Sequence, residues 1–573
     1  MQLSSGRTAS SFALLEASTS LQALFIGRVN VADIVIINPR FDTSFWGLEH
    51  CIGLLGKHAN LPVACLALLA ALVPDHHQVT LIDENVEDID FDRLGRADLV
   101  CLTGMSIQGR RMCEILKEVR SRGVMTVVGG PLATVEEETL RGLADVVFVG
   151  EADNTWPQFL RDWERGCYKR RYEQEEKTDV MRLPLPRIDL LKTDRYMFGS
   201  MQISRGCPFT CEFCDIIITF GRRPRLKTSQ QVLAELEAFR RAGLNTIFVV
   251  DDNLIGNKKA IKPILRDIIR WQEARAYPLT LFTEASIDLA EDEELMELMG
   301  LANFQSVFIG IESPNEESLI ETKKLQNVRP KAGSLVERVR RIHAHGIDVL
   351  CGMIVGFDHD DASTFDAIAN FIAEARIANT LIGQLHAIPT TPLYDRLKQA
   401  GRLNDESASD KYGTNVIPLR MSREELRDGF IQVMQSAYSA DAYFARLDSL
   451  FIEQGFDVVL YRLPYWRRHR LTWATQLLGG YIKFFVISMR LFRHVDDAAL
   501  KARYRRQLLR ALRALWRTPH MLFVYAMKTA MHYHYAAMLR ALGQSKEAGT
   551  VLPDAVRSFS RSRRPAPARA AAG

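Results

Sequence analysis

Three cysteines share one short stretch, QISRGCPFTCEFCDIIITFGRRPR, where Cys207, Cys211 and Cys214 stand in the order CxxxCxxC. Two cysteines can pair and four can close around zinc. Three thiolates on one loop suit a cubane iron–sulfur cluster held by three of its irons, with the fourth left open for chemistry. The competing reading is a structural zinc site or three incidental thiols, but no second cysteine pair follows downstream to complete such a site. Nine cysteines in 573 residues, without a dense regular framework, point to a reducing compartment, which an oxygen-sensitive cluster requires. Cys51, Cys65, Cys101, Cys113, Cys167 and Cys351 are expected to be small buried apolar residues.

A second set of polar groups falls at the ends of predicted strands. Asp251, Asp252 and Asn253 close VVDDN, Glu284 lies in LTLFTEASID, and Glu312 ends FQSVFIGIES. Carboxylates there can contact a ligand in the crevice; each taken alone can equally be a helix cap or a solvated loop residue. Arg222, Arg223 and Arg225 follow the cysteine loop, either balancing negative charge or simply opening the next helix. His386, at the mouth of the last strand, is more often structural than catalytic in such a place.

The elements that must carry these residues alternate. From Tyr196 onward, strands are expected near 198–208, 245–253, 279–288, 304–313, 348–357 and 380–389, separated by helices. These six strand–helix units form a partial parallel barrel, whose chemistry sits at the C-terminal strand ends. Before it, IVIINPR, VTLIDEN, LVCLTGM, VMTVVGGP and DVVFVGEAD alternate with helical stretches at about 25-residue spacing, the pattern of a doubly wound sheet with a ligand crevice at its strand ends. No GxGxxG follows Ile37, so a nicotinamide or flavin reading is weak.

The division expected is a flexible leader over 1–32, a first α/β domain over 33–153, a linker over 154–195, the barrel over 196–403, a helical region over 404–545 and a disordered tail over 546–573. From Tyr465 onward there are 21 Lys and Arg against four acids (Asp496, Asp497, Glu547 and Asp554). That surplus of 17, in a chain of net charge +4, leaves the preceding part at about −13. LTWATQLLGGYIKFFVISMRLF approaches the length of a membrane span, yet Gln476, Lys483 and Arg490 within it argue for a buried or interfacial helix. LKARYRRQLLRALRALWRTP then sets Leu500, Tyr504, Leu508, Leu512 and Leu515 on one stripe and arginines on another. Such a pair suits the surface of an anionic membrane, and equally a helical cap on the barrel with a solvated basic face. No nucleic-acid partner is expected, since no binding motif accompanies the basic face.

The cysteine spacing, with Phe213 just before the last cysteine, resembles the signature of the radical S-adenosylmethionine superfamily. There the open iron of a 4Fe-4S cluster chelates the methionine end of S-adenosylmethionine, which is split to a 5'-deoxyadenosyl radical. In that setting Asp251, Asp252, Asn253, Glu284 and Glu312 take the places of contacts to the nucleotide, although the Gly-Gly-Glu motif of many members is missing. A doubly wound domain ahead of such a core resembles a cobalamin-binding module. The resemblance implies cofactor contacts from the TGMSIQ loop (Thr103, Met105, Ser106) and the GGP turn (Gly129, Gly130). The DxHxxG signature is absent, so no protein imidazole is expected beneath the cobalt. The module order, CDIIxxxGRRPR, VDDNxIGNKKA and the basic tail together look like the cobalamin-dependent subgroup that includes the hopanoid methylases. The fold class implied is α/β: a Rossmann-like cobalamin domain, a partial (β/α)6 TIM-like barrel and a C-terminal helical extension. The function implied is methylation of an unactivated carbon in a hydrophobic, hopanoid or isoprenoid-like substrate. The partners implied are a reductant such as flavodoxin or ferredoxin and a peripheral membrane contact, in the cytoplasm at the inner face of the membrane. The alternatives are a radical cyclase or rearrangement enzyme, and a non-catalytic cobalamin-binding sensor.

Overall fold

A computed structural model describes residues 31–329, 333–404 and 413–548. The Ser-rich leader up to residue 30, most of the polar NDESASDKYGTN segment and the RSRRPAPARAAAG end lie outside the described residues. Strand β1 (Asp33–Asn38) is apolar at nearly every position because both of its faces are covered. Ile34 and Ile36 join one core, whereas Val35 and Ile37 join another on the opposite side of the sheet. With β2 (Gln78–Asp83), β3 (Leu99–Thr103), β4 (Met125–Gly129), β5 (Val146–Val149) and β6 (Arg171–Glu173) it forms an all-parallel sheet in the order β2-β1-β3-β4-β5-β6. The order reverses between β1 and β3, so the crevice of this Rossmann-like domain opens beyond Asn38 and Thr103.

Helix α1 (Thr155–Glu164) and β6 fall in the stretch read from sequence as connector, and both pack on this sheet. Strand β6 hides in a charged run because it is an edge with one buried side chain, Tyr172.

The second sheet takes β7 (Gly199–Met201), β10 (Thr246–Val249), β11 (Thr280–Glu284), β12 (Phe304–Glu312), β13 (Asp348–Val355) and β14 (Thr380–Gln384) in sequence order, all parallel. Between β7 and β10 the short strands β8 (Ser204–Arg205) and β9 (Arg225–Leu226) pair antiparallel and pinch off the cysteine loop. The result is the expected six-unit partial barrel.

The C-terminal region is helical. Helix α2 (Arg423–Ala437) opens on the expected capping box, with Ser422 Oγ accepting from Glu425 N and the Glu425 carboxylate accepting from Ser422 N. Helices α3 (Ala440–Asp448), α4 (Arg470–His494), α5 (Ala498–Leu515) and α6 (Pro519–Ala548) follow. Lys528 on α6 is buried against Asp348 (2.5 Å) and Asn379 (2.6 Å), which ties the helical region to the barrel. On α5, Tyr504, Leu508 and Leu515 are buried, while Arg503 and Arg510 reach Asp441 and Asp448 of α3. No described helix is long and apolar enough to cross a membrane.

Candidate active site

The cysteine loop is held by the residues after β10. Asp251 is buried and accepts from Ile203 N, Ser204 N and Ser204 Oγ, each at 2.7 Å. Asp252 accepts from Gly206 N at 2.8 Å, and Asn253 donates to Ser286 Oγ at 3.0 Å and toward Cys207 Sγ at 3.9 Å. The VDDN motif thus bonds to the chain that leads into the first cysteine. Gly206 makes the turn at φ 94°, where an added Cβ would lie 2.8 Å from Gly221 O.

A second clamp comes from 115 residues away. Glu212 N donates to Thr322 O (2.9 Å), Gln326 Nε2 donates toward Cys211 Sγ (3.6 Å), and Lys323 and Arg396 both pair with Glu212. Lys324 is paired with Glu312 at 2.7 Å, with its ammonium 5.8 Å from the centre of the Phe213 ring. Burial works against its charge, but Glu312 and the sulfurs of Cys211 and Cys214 together outweigh it and hold the ammonium above the ordinary lysine range. Glu312 itself sits at φ 66° where the β12–β13 register shifts. A left-handed non-glycine at a bulge is a strained, re-aimed residue. Gly310 beneath it has no room for a Cβ, which would meet the Glu312 carboxylate and Lys324 Nζ.

Carboxylates crowd the adjoining barrel mouth. Burial, then the charges of Asp252, Asp251 and Glu312, push Glu284 up to about 8. Burial likewise pushes Asp251 up to about 7 and Asp252 up to about 6. A positively charged ligand would relieve this mutual repulsion.

One cavity of about 2620 Å³ joins this mouth to the crevice of the first domain. Asp251, Asp252 and Glu284 line one side, and Thr103, Met105 and Gly130 line the other. Arg205, two residues before Cys207, and Asp215 and Ile216, just after Cys214, also wall it. Of the remaining expected residues, Asn253, Glu312 and Phe213 stand behind the wall, with Phe213 packed toward Phe357. Ser106 is exposed outside it, and Gly129 lies within β4 against Phe148. Gly130, at φ 91°, is small because a Cβ would strike Thr103 Oγ1 and the Gly104 backbone, so it serves chain packing. The domains are locked across the cavity by Arg205–Asp153 and Arg225–Glu151, each at 2.5 Å. Arg225 is therefore a domain bridge, while Arg222 reaches Pro208 O and His386 is exposed away from the cavity. Of the other cysteines, Cys51, Cys101 and Cys351 are buried and Cys65 and Cys113 half-buried, whereas Cys167 is exposed, contrary to expectation.

Sequence comparison accounts for these parts. The radical SAM superfamily matches residues 201–372, a B12 binding domain matches 58–160, and a domain of unknown function matches 391–548. An uncharacterized methyltransferase of Synechocystis sp. is 39% identical over 426 residues, covering 74% of this chain and 79% of that protein. The hopanoid C-2 methylase of Rhodopseudomonas palustris is 32% identical over 421 residues, covering 72% and 78%. The chain belongs to the cobalamin-dependent radical S-adenosylmethionine family, in its hopanoid-methylase-like subgroup. It is a radical S-adenosylmethionine methyltransferase. Two solved structures share the fold: TsrM from Kitasatospora setae, at TM-score 0.52 and 18% identity over 70% of this chain and 85% of that one, and the cobalamin-dependent enzyme OxsB, at 0.57 and 14% over 91% and 81%.

The cofactors of the family are a 4Fe-4S cluster, S-adenosylmethionine and cobalamin, and the residues present fit them. Cys207, Cys211 and Cys214 are unpaired thiols. N–H donors from Asn253 and Gln326 reach two of the sulfurs, and the buried Lys324 ammonium lies nearby. That donor set suits an anionic sulfur cluster. The carboxylate-rich mouth suits the ammonium and sulfonium of S-adenosylmethionine. The crevice side turns Met105 and Ile107, both largely exposed, into the cavity rather than a core.

Proposed function

We propose that this enzyme methylates an unactivated carbon of a hydrophobic, hopanoid or isoprenoid-like molecule. The observation that carries the reading is the single cavity shared by the barrel mouth, the switch-point crevice and an apolar wall. That wall comes from Trp46, Phe430, Ile431, Met538 and Leu542. The named relative that methylates hopanoids supports the same substrate class. When bound, the cluster and S-adenosylmethionine supply a hydrogen-abstracting radical and cobalamin supplies the methyl group.

The chain's part is alignment and exclusion of water. Asp251, Asp252 and Asn253 fix the loop that presents the three thiolates; Glu284, with Asp251 and Asp252 as neighbours, would take the nucleotide's cationic groups. Thr103, Met105, Ser106, Gly129 and Gly130 belong to the strand ends and loops proposed to carry cobalamin. Glu312 and Phe213 act from behind the wall through Lys324. The Arg205–Asp153 and Arg225–Glu151 pairs keep the two cofactor sites in register. A one-electron donor such as flavodoxin or ferredoxin would reduce the cluster, and a lipid substrate puts the enzyme in the cytoplasm at the inner face of the membrane.

The test is an anaerobic assay with extracted isoprenoid lipids, read by product mass and 5'-deoxyadenosine. A gain of one methyl group supports the reading. Ring closure or rearrangement without added carbon would move the enzyme to a radical cyclase, and no 5'-deoxyadenosine under strong reductant would make it a cobalamin-binding sensor.

A further inference from the structure

Helix α4 is apolar on two faces. Its inner face buries Gly480, Phe484, Ile487, Ser488 and Leu491 against the protein. On the opposite side Leu471 (87% exposed), Leu478 (60%), Ile482 (55%), Phe485 (53%) and Met489 (47%) stand in solvent. Their spacings of seven, four, three and four keep them within one narrow stripe of the helix. At 1.5 Å per residue the stripe runs for about 27 Å. Trp516, 54% exposed, extends it sideways, because Tyr481 OH on α4 donates to Trp516 O.

Cations border the stripe. Arg467, Arg468 and Arg470 precede it and Arg493 flanks it, all exposed, while Lys483, 5.2 Å from the Phe523 ring of α6, and Arg490, bonded to Leu54 O, lie on the side toward the protein. Among the described residues none of these six has a carboxylate within ion-pair range. Arg517 adds a guanidinium 4.9 Å from the Trp516 ring. A row of aliphatic and aromatic side chains edged by unpaired arginines matches the interface of an anionic bilayer, where apolar groups enter the acyl boundary and cations meet phosphate.

We propose that the outward face of α4 docks the protein on an anionic lipid surface. The inference rests on the lipid-substrate reading above and deepens it by naming the surface that would deliver such a substrate. A second copy of the chain is the poorer occupant, because pairing two such faces would bring like charges together. The face also lies beside the cavity. Arg490 Nη1 donates to Leu54 O at 2.8 Å, and α6 packs along α4. Glu49 and His50, a turn before Leu54, wall the cavity with Met538 and Leu542 of α6.

Flotation of the anaerobically reconstituted full chain tests this, using phosphatidylcholine vesicles with and without phosphatidylglycerol. The wild type is expected to float with the anionic vesicles and to stay below with the neutral ones. L478E/F485E and R467E/R468E/R470E should each weaken binding at least about tenfold, a change of about 1.4 kcal/mol. Both variants should still release 5'-deoxyadenosine with dithionite in detergent, which shows that the barrel is folded. Wild-type protein that ignores anionic vesicles, or variants that float equally well, would overturn the proposal. So would a sedimentation shift from dimer to monomer in L478E/F485E, which would make a second copy the occupant. Vesicle binding is read without substrate, so failure to methylate a lipid would refute the substrate reading and leave this one standing.

Discussion

The pair formed by Lys324 and Glu312 offers the sharpest mutational test of the site. Their side chains are 12% and 10% exposed with the charges 2.7 Å apart. At an effective dielectric of about 20 that separation corresponds to about 6 kcal/mol of attraction before desolvation is subtracted. Removing one partner of a buried pair typically costs about 3–5 kcal/mol, because the other charge is left without a counterion. In Lys324→Met the loss should fall first on the turn that follows, since Asn327 donates to Gly310 O and Ile311 O and Gln326 donates toward Cys211 Sγ. Amide hydrogen exchange over 319–327 should therefore rise by about a hundredfold or more, while exchange in the first domain stays unchanged. K324M/E312Q, which removes both charges, should recover most of the protection. A rise of less than about fivefold in K324M, about 1 kcal/mol, would refute the idea that this pair holds the second clamp. A double variant no better than the single would refute it equally.

Other consequences follow from the same geometry. Glu284 has its folded-state value raised, so its ionisation weakens the unliganded fold as pH rises from the ordinary carboxylate range to about 8. A cationic ligand that favours the ionised form should bind more weakly as pH falls below about 8, with proton release visible by calorimetry of S-adenosylmethionine binding at pH 8; Glu284→Gln should sharply reduce that release, leaving what Asp251 and Asp252 supply at lower pH. Gly130→Ala forces a Cβ to 2.6 Å from Thr103 Oγ1 at a positive φ and should destabilise the first domain by about 1–3 kcal/mol in urea unfolding. An unchanged transition would show that the turn relaxes. Arg205→Met leaves the buried Asp153 without its cation and should loosen domain docking in limited proteolysis; R205M/D153N should restore resistance.

Much of the fold was legible in the residues. Parallel strands covered on both faces read as continuous apolar runs, as in DIVIIN, and the order of strands and helices followed. The cysteine loop was legible because its chemistry is local. What was not legible depends on contacts between distant parts of the chain. VDDN was expected at the nucleotide; that Asp251 and Asp252, which line the cavity, also accept from backbone N–H groups leading into the cysteine loop is a pairing across more than 40 residues that no local pattern marks. Lys324 and Gln326 carry no motif, and their turn returns to the cysteines through contacts with distant residues, Glu312 and Glu212. The two apolar faces of α4 were visible only as high hydrophobicity, since the outer stripe is distinguished from the inner by what packs on it.

The claim beneath all of this is that three thiolates hold a cubane whose remaining iron is left to S-adenosylmethionine. Mössbauer spectroscopy of the anaerobically reconstituted enzyme, with and without S-adenosylmethionine, addresses it directly. The account predicts a cubane spectrum in which a single iron site changes when the nucleotide is added, and loss of that spectrum in Cys211→Ala. A cubane that ignores the nucleotide, or one that assembles equally well without Cys211, would contradict it.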